Sequence, residues 1–324
     1  MTKDSVEISV ILATYNRAVG LTKALQSFSR LAIPADLAWE LIVVDNNSKD
    51  NTRTVVEEFA KAATFSVRYV FEARQGRSNA LNFGIAHAQG EIIAITDDDV
   101  ILGPEWLVNV KRAFHEFDCA AVAGRVLPLW SEPKPDWLEM EEQQAIVNFD
   151  LGNEWKQIDR PPLGANSAFR KAIFSKYGGF RVDLGVTGGD QKRGLTCDDT
   201  EFGIRLVKGG EKIIYAPTAV IYHPVEPHRP TKSYFLKWYF NDGRSGIRTF
   251  GWPSNAVCYF GIPRWLYKQL AVSFISWMFS FTSKRRFHHK VRTYKGVGRI
   301  IEARRLARST CYRQEGTLSD PSAG

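Results

Sequence analysis

The 324-residue chain has little of what marks several protein classes. Its four cysteines (Cys119, Cys197, Cys258 and Cys311) are scattered, with no CxxC pair among them. That argues against a disulfide framework or a zinc site and fits a reducing compartment. Residues 1–7 contain no apolar signal region, so secretion is not expected. No strand-like segment is followed by GxGxxG, and GxxxxGK[ST] is absent, so the usual dinucleotide and P-loop phosphate cradles are missing. The apolar stretch at residues 270–281 is about a dozen residues long. A simple membrane crossing needs roughly 20.

Acidic residues are scarce at one end. Of 43 Lys and Arg and 35 Asp and Glu, 18 and 4 fall in residues 229–324, leaving 25 against 31 in residues 1–228. A basic tail on an acidic body implies an anionic partner, a membrane surface or nucleic acid.

The body is organised around one stretch. Ile92-Ile93-Ala94-Ile95 runs through Thr96 into Asp97, Asp98 and Asp99 and then a Gly103-Pro104 turn. The apolar run reads as a buried strand, and ligands gather at the carboxyl ends of strands in open α/β sheets. Three adjacent carboxylates need a positive partner, and a divalent cation, Mg²⁺ or Mn²⁺, is the simplest. The alternative is an acidic turn that caps the helix near Trp106. Strands at residues 8–13, 39–44 and 65–71 precede this one, each separated from the next by a helical pattern. That alternation predicts an α/β fold, a mostly parallel sheet with helices on both faces.

Thr14-Tyr15-Asn16-Arg17, the run from Val43-Val44-Asp45 to Thr52, and Thr96-Asp97-Asp98-Asp99 together resemble the family-two glycosyltransferases, over roughly residues 7–228. The resemblance implies the nucleotide-sugar-binding A fold of inverting glycosyltransferases. It implies that Thr14, Tyr15, Asn16 and Asp45 hold the base and ribose, that Arg77 stands against the nucleotide, and that Asp97 faces the ribose and Asp99 the metal, with Asp97 a metal ligand as well. Asp98 shares either task, so the assignment within the triplet stays open by one position. Asn166, after Gly164 and Ala165, falls where the family approaches the donor sugar; the same residues also read as the capped start of a helix over 167–177. The acidic pair Asp198-Asp199 matches the family's catalytic-base motif, with Asp199 as the base. Asp198 stands where Glu is common, which leaves open which of the two points at the acceptor. Residues 213–224 read as two short strands closing on His223, which the resemblance adds to the metal or diphosphate site. Trp130, Trp137 and Trp155 read as core rather than sugar platforms, and residues 188–190 as a glycine-marked loop.

These readings divide the chain into a catalytic domain, 1–228, and a basic, aromatic, mainly helical segment, 229–324. The expected activity is transfer of a sugar from a nucleotide-diphosphate sugar, a UDP-sugar foremost, to a glycan or lipid-linked acceptor. Basic flanks around residues 270–281 suit an interfacial helix, so a peripheral position on an anionic membrane at its cytoplasmic face is expected. A buried helix is the competing reading of that segment. Nucleic acid ranks below the membrane, because no nucleic-acid motif accompanies the charge. A nucleotidyltransferase on a related sheet and a non-catalytic membrane-surface binding protein remain the alternatives. The first would carry a Gly-rich basic loop after strand one, which is not present.

Overall fold

The computed structural model describes residues 6–138, 145–186 and 197–309. The loop expected at residues 188–190, Cys311 and the C-terminal end fall outside the described residues. The chain divides into two compact units. Met1–Leu129, Val147–Arg193 and Asp198–Pro224 form the first, and Trp130–Ile146, Gly194–Cys197 and Val225–Gly324 the second.

In the first unit, β1 (Ile8–Thr14), β2 (Trp39–Asp45), β3 (Ser66–Phe71) and β4 (Ile92–Asp97) alternate with α1 (Ala18–Phe28), α2 (Thr52–Ala62) and α3 (Arg77–His87). The strands pair in parallel in the order β3-β2-β1-β4. All seven residues of β2 are buried, as a parallel strand covered on both faces requires. The register sets Ala13 beside Asp97 and Thr14 beside Asp45. The polar ends of three neighbouring strands therefore meet where the strand order reverses, the crevice in which α/β sheets bind ligands.

The sheet continues past β4 with antiparallel partners. After β5 (Ile101–Leu102) and α4 (Trp106–Phe117) come β6 (Ala121–Trp130), β7 (Lys156–Ile158) and β8 (Asn166–Arg170). Strand β8 inserts between β4 and β6, antiparallel to both. The helix expected over 167–177 is therefore a strand followed by a short helix, α5 (Ala172–Tyr177). Two flanking strands supply backbone partners to residues 166–170, and four of the five are buried, so tertiary pairing overrides local preference. Helix α6 (Asp198–Lys208) follows, then β9 (Ile213–Val225). Strand β9 is one 13-residue strand, not the two short ones expected. Pro217 lies between residues 213–215, paired to β7, and residues 221–222, paired to β5.

The second unit carries α7 (Lys232–Phe250), the hairpin β10 (Cys258–Tyr259) and β11 (Ile262–Pro263), α8 (Arg264–Met278) and α9 (Ser283–Arg308). Helices α7 and α9 cross at two glycines. A Cβ on Gly243 would collide with the Lys295 carbonyl, and one on Gly298 with the Phe240 carbonyl. Trp137 packs edge-on against Phe235 and Phe287 in this unit's core. In the first unit, Trp155 stacks on Phe117 at 5.5 Å. Both tryptophans are packing residues, as expected. No helix among the described residues is long and apolar enough to cross a membrane.

Candidate active site

Every candidate site residue lies in the first unit. Asp97 ends β4, and Asp98 and Asp99 occupy the turn that follows. Asp98 is buried and accepts the Thr14 hydroxyl at 2.6 Å. Burial pushes its carboxyl up to about 6, against the pull of Arg17 and of the Thr14 hydrogen bond. The Arg17 guanidinium spans the turn, with Nη1 3.1 Å from Asp99 Oδ2 and Nε 3.7 Å from Asp98 Oδ1. Sequence reading placed Arg17 in the first-loop motif but gave it no role. The signal was available: three adjacent carboxylates call for nearby cations.

His223 brings a different chemistry. Its Nδ1 lies 3.2 Å from the Pro224 carbonyl, which can only accept, so Nδ1 carries the proton. Its Nε2 lies 3.4 Å from Asp99 Oδ1. With Nδ1 protonated, two lone pairs face each other unless a proton or a metal cation stands between them. Asp99 and His223 are thus the pair that would hold a divalent ion. Among the described residues, no group of three or more His, Cys, Asp and Glu side chains could hold a metal by itself. Asp97, expected on the metal as well, accepts Arg77 Nη2 on its Oδ1 at 2.8 Å.

Arg77 opens α3, after a positive-φ Gly76. Besides Asp97, it donates to Asp198 Oδ2 at 2.9 Å and to the Gly164 carbonyl at 3.2 Å. Burial works against its charge, but Asp97, Asp198 and Asp199 outweigh that and hold its pKa well above the usual value. Asp199 accepts the Gly164 N–H at 2.8 Å and the Thr200 N–H at 2.6 Å. Burial raises its pKa, and so does the neighbouring Asp198 charge, while Arg77 and the two N–H groups oppose. Gly164 is therefore gripped on both sides of its peptide. A Cβ there would stand 2.9 Å from Asp199 Oδ2 and 3.0 Å from Arg77 Nη2.

The base-side loops are ordered from within. Asp45 Oδ1 accepts the Ser48 N–H and Oδ2 the Tyr69 hydroxyl, both at 2.8 Å. Asn16 adopts positive φ; its N–H donates to Ser48 Oγ and its Oδ1 accepts the Lys49 N–H, which ties the first loop to the second. Tyr15 beside it is half-buried. The start of α2 is served by Asp50, which accepts the Thr52 N–H and hydroxyl.

Asn166 does not face a sugar. It is 1% exposed; its amide donates to the Arg125 and Ala219 carbonyls and accepts the Trp106 indole N–H. Its polar groups are spent holding β6, β9 and α4 around β8, which corrects the role expected for it.

The model of the family described as Glycosyl transferase family 2 matches residues 9–178. The chain belongs to this family. Glycosyltransferase AglE of Haloferax volcanii is 32% identical over 77% of this chain and 76% of its own length. The glucosyl-dolichyl phosphate glucuronosyltransferase of the same organism is 25% identical over 69% of this chain and 71% of its own. Of two other glycosyltransferase relatives the chain spans only about half the length, 54% and 50%. The mannosyltransferase PcManGT of Pyrobaculum calidifontis, solved with GDP-Man and Mn²⁺, superposes with a TM-score of 0.55, 21% identity and coverage of 94% of this chain and 75% of that one. This likeness establishes the glycosyltransferase A fold.

Proposed function

We propose that this family-2 chain is an inverting glycosyltransferase that moves a sugar from a nucleotide-diphosphate sugar, a UDP-sugar first, to an acceptor hydroxyl. The observation that carries the reading is the Arg77 fork. One guanidinium touches Asp97 on the donor side and Asp198 beside the base, so donor and acceptor chemistry lie within its span. Thr14, Tyr15, Asn16 and Asp45 line the nucleotide end, and Asp45 keeps a second lone pair on each oxygen for a base N–H. Asp99 and His223 would hold Mg²⁺ or Mn²⁺, which when bound neutralises charge on the departing diphosphate. Asp199 takes the proton from the acceptor hydroxyl, which attacks the anomeric carbon from the face opposite the diphosphate. Its raised pKa suits a base near neutral pH. Asp198, held by Arg77, fixes the start of α6 and so aims Asp199.

A lipid-linked saccharide is the proposed acceptor, in assembly of a surface polysaccharide or glycolipid at the cytoplasmic face of an anionic membrane. The charge split between residues 1–228 and 229–324 supports this, and so does the dolichyl phosphate-linked substrate in the Haloferax relative's name. A thermal-shift screen of nucleotide sugars with and without Mn²⁺ tests the donor half, since a specific ligand stabilises by mass action. One UDP-sugar should stand out and should need the metal. Equal response to all nucleotides, or none, would sink the reading.

A further inference from the structure

Helix α8 leaves one row of side chains uncovered. Lys268, Val272, Ile275 and Phe279 recur at helical spacing, and all four are exposed. The row ends in a tip. Phe279 is 73% exposed, Phe281 is fully exposed, and Met278 beside them is 58% exposed. Large apolar side chains grouped in this way mark an interaction surface.

Charge says what covers it. Arg264 and Lys268 stand exposed at the start of the row, and Lys284, Arg285 and Arg286 stand exposed just beyond its end. No Asp or Glu occurs between Asp242 and Glu302. Both of those acids are already engaged: Asp242 pairs with Lys295 at 2.8 Å, and the buried Glu302 pairs with Arg244 at 3.1 Å. An apolar wedge between cations, with no acid alongside, complements an apolar interior lying under an anionic surface. A second copy fits poorly. An isologous antiparallel pair of α8 helices would set Arg264 and Lys268 of one copy against the Lys284–Arg286 cations of the other. At 15 residues α8 is about 22 Å long, shorter than the roughly 30 Å apolar core of a bilayer, so it can enter one leaflet but not cross.

We propose that the C-terminal end of α8 and the turn at residues 279–281 insert into an anionic lipid bilayer, with Lys284, Arg285 and Arg286 seated on headgroup phosphates. The proposal rests on the membrane reading above and gives it a place on the chain. Trp277 directly precedes Met278 at the C-terminal end of α8, with Lys290 5.4 Å from its ring, and serves as a native reporter.

The test is co-sedimentation of the full chain with phosphatidylcholine vesicles, with and without phosphatidylglycerol. Wild type should bind only the anionic vesicles, and less as salt rises. Phe279→Ser with Phe281→Ser should lower partitioning about tenfold or more. Lys284→Gln, Arg285→Gln and Arg286→Gln together should remove the preference for phosphatidylglycerol. Quenching of tryptophan emission by brominated acyl chains should disappear in Trp277→Phe. A nucleotide-sugar thermal shift like that of wild type shows that each variant is folded. If wild type binds anionic vesicles and the phenylalanine variant binds equally well, the insertion site is overturned while the membrane reading stands. If wild type binds no vesicles, both fall. If it instead forms a concentration-dependent dimer that the phenylalanine substitutions abolish, the row is covered by a second copy and the proposal is overturned.

Discussion

At the scale of single residues, the site is a balance of buried charges, and two substitutions read that balance directly. Asp199→Asn should keep donor binding in the thermal-shift assay and lose transfer; full turnover in that variant would move the base elsewhere. The same variant carries a pH signature. Burial and Asp198 raise the Asp199 pKa in the folded state above its unfolded value. The stability this gives is therefore present at low pH and is lost as pH rises through the folded pKa. Asparagine does not ionise, so the melting temperature of Asp199→Asn minus that of wild type should grow from acid to neutral pH. A difference independent of pH would show that Asp199 is not held with a raised pKa. For the wild-type reaction the sign is opposite: activity should climb as the base deprotonates, so turnover improves over the range in which stability falls.

Arg17 offers a second residue-scale prediction. Its guanidinium sits on Asp98 and Asp99, where a metal would compete with it. Arg17→Ala should tighten Mn²⁺ binding in the absence of nucleotide about fivefold, the worth of a partly exposed ion pair of about 1 kcal/mol. Electron paramagnetic resonance of free Mn²⁺ measures this without any turnover. Unchanged or weaker binding would mean that Arg17 does not stand in the metal's place.

At the scale of elements, what the sequence revealed and what it hid divide by the kind of contact involved. Strands β1, β2 and β4 are continuous apolar runs ending in polar loops, so both their existence and the location of the site at their ends could be read from the chain. Strand β8 could not, because its identity comes from two flanking strands distant in sequence. Asn166 looked like a ligand-facing amide for the same reason: its three partners, Trp106, Arg125 and Ala219, lie far from it along the chain. The pairing of Arg77 with both Asp97 and Asp198 was equally out of reach, since it joins residues 20 and 121 positions apart. At Gly164 the backbone is approached closely by Arg77 and Asp199, both distant in sequence. The second unit makes its own element-scale prediction. Gly298→Ala would press a methyl onto the Phe240 carbonyl and force α7 and α9 apart. Overpacking of this kind costs about 1–3 kcal/mol. The variant should melt several degrees lower in calorimetry, and an unchanged melting temperature would mean that the crossing relaxes freely.

At the scale of the whole molecule, the order of strands along the chain differs from their order in the sheet. Strand β4 is made early, but its neighbour β8 begins only at Asn166. A chain emerging from the ribosome therefore carries Ile92–Asp97 for some time with one edge unpaired, apolar and ready to bond to any strand that meets it. Completion must wait for β8, and Asn166 cannot satisfy its amide until Ala219 on β9 has also been made. Production of this protein thus has a vulnerable interval during synthesis that the finished structure conceals. A fragment ending at residue 150 should aggregate where the full chain stays in solution, as sedimentation after expression would show, and the demand for chaperones should peak before the second half of the sheet is translated.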